Sequence, residues 1–167
     1  LEHVLLAGFS HEPAIKLAER LINLSPKKIN KCFFIDNGSS AIDASMKMSY
    51  HYWKNMGFKD KNKFIALSNS YHGETLGSLS ISNIDLYKKT YNKMLKNTII
   101  IPSPDSFNKK CGISDKEHSK QMFTFMQKEI EKNHKKICAV VIEPLVQCAG
   151  YMSCLLYTSP SPRDRVL

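Results

Sequence analysis

The sequence lacks long apolar runs and closely spaced cysteine pairs. None of its apolar stretches approaches the ~18 residues that a membrane-spanning helix requires, and its start, Leu1-Glu2-His3-Val4, is without the basic and then apolar build of a signal peptide. No Cys-x-x-Cys pair occurs among the five cysteines, at positions 32, 111, 138, 148 and 154. Neither a disulfide framework nor a zinc site is supported. We therefore expect a cytoplasmic protein without a metal site, whose reduced cysteines pack in its core.

Arginine is also scarce, although the chain is basic. Lysine and arginine number 24 against 15 acidic residues, which gives a formal net charge of +9. The lysines stand in short scattered groups, without the arginine and aromatic interleaving that a surface for reading nucleic-acid bases uses. A solvated lysine-rich surface is therefore favoured, and a basic nucleic-acid-binding module stays as the alternative from a different functional class. An anionic small-molecule ligand is compatible with this charge.

Short apolar runs alternate with helical patterns along the 167 residues, of which 43% are hydrophobic. That length suits one domain, or part of a larger one, with a single core. The apolar runs lie at 32–35, 64–67, 99–101 and 137–142. Such alternation predicts an α/β fold with a mostly parallel sheet and helices on both of its faces.

The helical patterns carry their own start and stop signals. Ser10 is a candidate N-cap of the first helix, with Pro13 in the first turn and Pro26 beyond the end. Ser114 and Glu117 have the spacing of a capping box. The second helix is polar along one narrow stripe, which predicts that it is otherwise largely buried. That stripe consists of Asp43, Lys47, His51 and Lys54.

A turn of small residues, Asp36-Asn37-Gly38-Ser39-Ser40-Ala41, joins the first apolar run to the second helix. A helix N-terminus carries unpaired backbone N–H groups and a partial positive charge. Gly38 allows a ligand to approach the chain closely, and the hydroxyl groups of Ser39 and Ser40 add donors. The pattern predicts a phosphate-binding turn, although similar turns also occur in α/β domains that bind nothing.

Polar side chains follow two further strands of the predicted sheet. Tyr71, His72 and Glu74 come after the run at 64–67, and Glu143 comes directly after the run at 137–142. Because open α/β sheets bind ligands at the carboxyl edge of their strands, these side chains and the Gly38 turn are expected to converge there. Of the two hypotheses for His72, a catalytic imidazole and a histidine that supports the turn, we favour the second.

Taken in order, these motifs resemble those of the class III aminotransferases. The motifs are Gly38-Ser39-Ser40-Ala41, Met46-Lys47-Met48 with Tyr52-Trp53, Tyr71-His72-Gly73-Glu74-Thr75, and the segment at 142–147. The resemblance covers residues 3 to about 152. It implies part of the large domain of a fold-type I enzyme that uses pyridoxal 5′-phosphate (PLP).

Two features resemble the branch of the family that serves biotin synthesis. Glu74 places a carboxylate after the Tyr-His-Gly triplet, and no Glu follows Gln147-Cys148-Ala149. For this branch the resemblance implies transfer of an amino group from S-adenosylmethionine to 8-amino-7-oxononanoate. Another class III aminotransferase, of the omega-amino acid or diamine type, is the nearest alternative.

The resemblance also implies roles for individual residues. The backbone N–H groups of Gly38 and Ser39 would hold the cofactor phosphate, with Ser40 in support. Tyr71 would lie against the pyridine ring and border the substrate. Glu74 would also contact the substrate.

His72 and Glu143 are supporting residues in the same comparison. Glu143 would organise hydrogen bonds around the aromatic residue and the ring. Two positions depart from the family pattern: Glu74 replaces the usual Asp, and Cys148 replaces the usual Gly. The longer Glu74 side chain puts its substrate contact in question, and the Cys148 side chain could crowd its turn.

The end of the sequence continues none of these patterns. Residues 154–164 can be encoded by a sequence that resembles a transposon end and adaptor used in preparing sequencing libraries. We therefore expect 1–153 to be part of the PLP-binding domain and 154–167 to be non-native. The catalytic Lys and the Asp that pairs with the pyridine nitrogen would lie further along the family's chains, so no lysine here is assigned that role. We expect this fragment to be inactive alone. The full-length enzyme would be a homodimer acting on small molecules, without nucleic-acid or membrane partners.

Overall fold

The computed structural model describes residues 8–107 and 109–146 and the backbone of 152–153, with side chains described up to residue 144. The chain divides into two compact units, one ending at Ile35 and one beginning at Asp36. In the described part of the chain, none of the helices combines the length and the apolar composition that a membrane crossing needs.

The first unit contains one described helix, α1 (Glu12–Leu24). Its N-cap is His11, not the predicted Ser10, because the His11 backbone is extended and its carbonyl accepts the Ile15 N–H at 3.1 Å. Pro13 lies in the first turn as predicted, and the helix ends before Pro26.

The apolar run at 32–35 does not form the predicted strand. These residues have no strand partner in the described part of the chain, and the Phe33 side chain is 68% exposed. An apolar run becomes a strand only when a neighbouring strand pairs with its backbone groups. The predicted thiol burial is also only partly correct: Cys138 is buried, Cys32 is half-buried and Cys111 is exposed, all three as free thiols.

The second unit is built on a three-stranded parallel sheet, as predicted. Its strands are β1 (Lys63–Leu67), β2 (Ile99–Ile101) and β3 (Ile137–Val140), in the spatial order β2-β1-β3. Ile65 of β1 lies opposite Ile99 on one side and Val140 on the other. A separate antiparallel pair is formed by β4 (Leu145–Val146) and β5 (Met152–Ser153).

The described helices of this unit are α2 (Gly38–Asn55), α3 (Leu76–Ile81), α4 (Asp85–Lys88) and α5 (Asp115–Asn133), with a 3₁₀ turn at Lys89–Met94. The predicted N-cap of α5 is confirmed, since the Ser114 side chain accepts the Glu117 N–H at 3.2 Å.

Alternating side chains of β1 enter two different cores, one on each face of the sheet. Ile65 and Leu67 pack with Met126 of α5 on one face. Phe64 packs with Met46 of α2 on the other. Since successive strand residues point to opposite faces, helices cover both sides of the sheet, which confirms the predicted α/β architecture.

The helix α2 is much less buried than its sequence pattern predicted. Of its residues, Met46 alone is buried, whereas Met48 is 49% exposed and Tyr52 is 57% exposed. The apolar pattern extends around most of the helix, but among the described residues the core forms on the side that carries Met46, which packs with Phe64 and Ile81.

The helix α3 has no counterpart among the predicted elements, because serines at alternating positions make its sequence look like a polar loop. Ser78, Ser80 and Ser82 are nevertheless at most 1% exposed. The Ser82 hydroxyl donates to the Ser78 carbonyl at 2.9 Å, which satisfies a polar group that burial would otherwise penalise. Small hydroxyl side chains are therefore buried in this helix together with Leu79 and Ile81.

Trp53 connects the last turn of α2 to β3 through a hydrogen bond. Its indole Nε1–H donates to the Cys138 carbonyl at 2.7 Å, and the Lys61 ammonium lies 4.1 Å from the ring centroid. The same ammonium donates to the His134 carbonyl at 2.6 Å and to the Ile137 carbonyl at 3.1 Å. The indole and the ammonium thus connect α2 to both ends of the turn before β3.

Replacement of Trp53 by Phe should destabilise the protein, because the smaller phenyl ring is still aromatic but cannot donate the hydrogen bond to the carbonyl of the buried Cys138. We expect the free energy of unfolding to fall by about 1–2 kcal/mol, measured by urea denaturation. Tyr52→Phe at the exposed neighbouring position is the control, with an expected change within about 0.5 kcal/mol. Equal effects of the two substitutions would contradict the role of the indole hydrogen bond.

Candidate functional site

Within the described ranges, two backbone N–H groups in the first turn of α2 have no acceptor. Asn37 caps the helix: its Oδ1 accepts the Ser40 N–H at 2.8 Å, and its carbonyl accepts the Ala41 N–H at 3.0 Å. The N–H groups of Gly38 and Ser39 donate to no acceptor among the residues that the structure describes. The surroundings of Gly38 are open, since a Cβ there would meet no atom within 4 Å. This end of α2 is therefore suited to bind an anion.

The loop after β1 holds Tyr71 between two carboxylates. The Tyr71 N–H donates to Glu143 Oε2 at 2.9 Å, and the Tyr71 hydroxyl donates to Glu74 Oε1 at 3.0 Å. The Tyr71 ring lies beside that of Tyr87, with 5.3 Å between the centroids. Both the main chain and the hydroxyl group of Tyr71 are thus held by charged side chains.

This loop lies directly on the first turn of α2. The Glu74 N–H donates to Ser39 Oγ at 3.2 Å. Gly73 has a φ of +121°. A Cβ at this position would lie 2.9 Å from the Ser39 Cα, which is closer than a Cβ approaches another carbon atom. Position 73 therefore requires glycine both for its backbone conformation and for the space it leaves.

The structure brings most of the predicted site residues together. Ser39 contacts the loop of Glu74, and Tyr71 connects that loop to Glu143 after β3. The turn at Gly38 thus lies close to the segments that follow β1 and β3, although the run before it is not a strand. The N–H of Ser40 belongs to the helix cap and is not available to a ligand.

The side chain of His72 points into the protein, and its main-chain N–H makes a hydrogen bond that holds the residue in place. Its N–H donates at 2.9 Å to Ser82 Oγ, which is itself buried. The imidazole Nε2 is buried and has no hydrogen-bond partner within the described ranges. Burial lowers the pKa of His72, and the nearby Glu143 carboxylate opposes this shift without overcoming it. The imidazole is therefore neutral at neutral pH.

Two residues of this site were not singled out from the sequence as site residues, and a third was given a different role. Thr75 Oγ1 donates to Asp43 Oδ1 at 2.9 Å, and Ser82 accepts the His72 N–H. Asp43 was expected on the solvated stripe of α2 but is half-buried at this contact. The sequence carried one usable signal, because Asp43 follows Ser39 by four residues and so shares its face of the helix.

Acidification should destabilise the protein through His72. Because its pKa is lowered from the ordinary 6.5, the unfolded chain takes up a proton more readily than the folded one. The His72 contribution to stability is therefore complete above pH 6.5 and is lost as the pH falls through the lower folded value. Comparing urea unfolding at neutral and acidic pH should show a smaller pH effect for His72→Gln than for wild type. The exposed His51→Gln is the control, and an unchanged pH effect in His72→Gln would refute the assignment.

Arranged in this way, the described residues can bind a phosphate at the open turn of α2 and a flat ring near Tyr71. Both features lie on one hydrogen-bonded path, from Ser39 through Glu74 to Tyr71. The acidic groups at Tyr71 would favour a positively charged group on a further ligand.

Curated proteins similar to this chain are aminotransferases. The chain is 44% identical over 154 residues to the adenosylmethionine-8-amino-7-oxononanoate aminotransferase of Helicobacter pylori, with 91% of this chain and 33% of the relative covered. It is 39% identical over 155 residues to the enzyme of the same name from Aquifex aeolicus, with 90% and 33% covered. The chain thus spans about a third of the length of these relatives.

Solved structures with the same fold are transaminases. An omega transaminase from Pseudomonas jessenii in complex with PMP superposes with a TM-score of 0.84 at 28% identity, covering 91% of this chain and 34% of that one. The adenosylmethionine-8-amino-7-oxononanoate aminotransferase of Methanocaldococcus jannaschii superposes with a TM-score of 0.75 at 25% identity, covering 91% and 32%.

The family resemblance inferred from the motifs is confirmed by the sequence as a whole. The family description "Aminotransferase class-III" matches residues 1–155, which include the open turn of α2, the Tyr71 loop and Glu143. The chain belongs to the class III aminotransferases.

Proposed function

We propose that the complete protein containing this chain is a PLP-dependent aminotransferase of biotin synthesis. It would transfer an amino group from S-adenosylmethionine to 8-amino-7-oxononanoate, the reaction that the names of the curated relatives indicate. The observation that carries the proposal is the open first turn of α2, hydrogen-bonded through Ser39 to the loop that holds Tyr71.

The residues present fit this cofactor. The N–H groups of Gly38 and Ser39 offer two donors to a phosphate at a helix N-terminus, and a Cβ-sized space at Gly38 is open. Tyr71 offers an aromatic face for a pyridine ring. When bound, PLP supplies an electron sink for the electron pair released as a substrate C–H bond breaks.

The carboxylates near Tyr71 would orient it and receive the substrate. Glu143 fixes the Tyr71 main chain, so the ring keeps one position against the cofactor. Glu74 holds the Tyr71 hydroxyl and places a negative charge where a cationic amino group of a substrate would enter. His72, neutral and buried, would support the loop and not carry a proton.

The remaining expectations apply to the complete protein. We place the catalytic Lys and the Asp of the pyridine nitrogen outside this chain, so the chain alone would be inactive. Residues 1–153 would belong to the large domain and 154–167 would be non-native. The complete enzyme would be a cytoplasmic homodimer, and apolar residues exposed on α2, such as Tyr52, suit a subunit interface.

A transaminase with a different amino donor is the second candidate. It is favoured by the superposition with an omega transaminase at a TM-score of 0.84. Both candidates share the phosphate turn and Tyr71, so the donor distinguishes them.

The proposed reaction predicts the choice of amino donor. The complete protein, purified and supplied with PLP, should convert 8-amino-7-oxononanoate with S-adenosylmethionine and should be inactive with alanine or a diamine. Product formation is followed by mass spectrometry. Activity with a diamine alone would support the second candidate. Failure to bind PLP, together with salt-dependent retention on DNA, would instead support the nucleic-acid-binding alternative.

The Tyr71 ring and hydroxyl should have separable effects. Tyr71→Ala removes the stacked ring, and we expect PLP binding to weaken by about 1–3 kcal/mol. Tyr71→Phe keeps the ring but frees Glu74, so PLP affinity should change little while the KM for the amino acceptor rises. The matched control is Tyr91→Ala, at a position 48% exposed on the 3₁₀ turn. Equal loss of PLP affinity in the Phe and Ala variants would argue against stacking.

A further inference from the structure

The contact between α2 and the segment 73–77 has two layers. Ser39 and Asp43 lie one turn apart on the same face of α2. Opposite them lie two glycines, also four residues apart: a Cβ at Gly73 would lie 2.9 Å from the Ser39 Cα, and one at Gly77 would lie 2.9 Å from the Asp43 Cγ. The segment therefore fits closely against two successive turns of the helix.

Each layer contains a hydrogen bond to the segment. In the first layer Ser39 Oγ accepts the Glu74 N–H, and in the second Asp43 Oδ1 accepts the Thr75 hydroxyl at 2.9 Å. The second bond has a charged acceptor and is half-buried, so it is the stronger of the two. It also lies one residue from Glu74, which holds the Tyr71 hydroxyl.

Thr75 makes this bond in place of a hydrogen bond within its own helix. It is the N-cap residue of α3, where a threonine hydroxyl ordinarily accepts an N–H from its own helix, and no such bond is present. Its hydroxyl donates to the Asp43 carboxylate at 2.9 Å, and the Ser39 carbonyl lies farther away at 3.5 Å. The Ser78 hydroxyl lies 2.7 Å from Thr75 Oγ1 and 3.1 Å from the Thr75 carbonyl, and it can donate to either. Asp43 thereby sets the direction of the Thr75 hydroxyl.

We propose that Asp43 is a positioning residue of the cofactor site. Through Thr75 it holds the Tyr71–Thr75 loop at a fixed place on α2, so that the open N–H groups of Gly38 and Ser39 and the aromatic face of Tyr71 act as one preorganised site. Asp43 itself contacts neither cofactor nor substrate. The inference rests on the proposed function and adds to it the side chain that joins the phosphate half of the site to the ring half.

The test compares two ligands that differ only in the phosphate. PLP engages both halves of the site, whereas pyridoxal engages only the ring half, so the ratio of their dissociation constants reports how well the halves are aligned. The ratio is measured by absorbance titration of the complete protein after removal of its cofactor. A substitution that only lowers overall stability leaves this ratio unchanged.

Removal of either partner of the bond should reduce the preference for PLP. In Asp43→Ala and in Thr75→Val we expect the ratio to fall about tenfold, which corresponds to one hydrogen bond to a charged group. Thr75→Ser keeps the hydroxyl and should stay within about twofold of wild type. The double variant Asp43→Ala with Thr75→Val should be no worse than either single variant, because both remove the same contact.

The control is Asp60→Ala, which removes a carboxylate from an exposed turn before β1. An Asp43→Ala ratio equal to that of Asp60→Ala, with only the melting temperature lowered, would overturn the inference and leave the proposed function intact. Additive losses in the double variant would overturn it as well. If Asp43→Ala does not fold, the contrast between Thr75→Val and Thr75→Ser decides the question. Failure of the wild-type protein to bind PLP would refute the proposed function, and the inference with it.

Discussion

The close approach of α2 to the segment 73–77 is the contact on which the site depends. At Gly73 a side chain would overlap the Ser39 main chain, so this glycine determines how near the loop can come, and at Gly77 a Cβ would meet the Asp43 carboxylate. This close approach brings the Glu74 N–H within hydrogen-bond distance of Ser39 Oγ, and the turn of Gly38 beside it stays open. Helix, loop and strand-end can then act on one ligand, although they are far apart in the chain.

The sheet supplies the frame for this contact. Because β1 sends alternate side chains to cores on both faces, its carboxyl end is held rigidly, and the Tyr71 loop begins from a fixed point. The adjacent strand β3 delivers Glu143, which binds the Tyr71 main chain from the other side. Burial keeps His72 neutral beside that carboxylate, so the negative charge there is not compensated by an imidazolium.

Several parts of the fold could be predicted because their signals are local. The apolar run of β1 and the Ser114 N-cap of α5 depend on neighbouring residues, and both predictions are confirmed. The apolar run at 32–35 has the same local signal as β1, yet no strand in the described part of the chain pairs with it. For the helix α3 the prediction was wrong in the opposite sense, because a loop was expected where a helix forms. Tertiary contacts bury serines such as Ser82, whose composition is typical of a loop.

The family was determined by the sequence, and the candidate site residues were predicted from it, since glycine, tyrosine and carboxylate side chains carry chemistry that does not depend on details of packing. The roles proposed for Gly38, Ser39 and Tyr71 stay predictions for the complete protein. Only the tertiary structure showed that the half-buried Asp43 carboxylate accepts the Thr75 hydroxyl and that Glu74 accepts the Tyr71 hydroxyl. The physical reason is that a side chain's partner is decided by which segments the fold brings within hydrogen-bond distance, and no local pattern of residues encodes that distance.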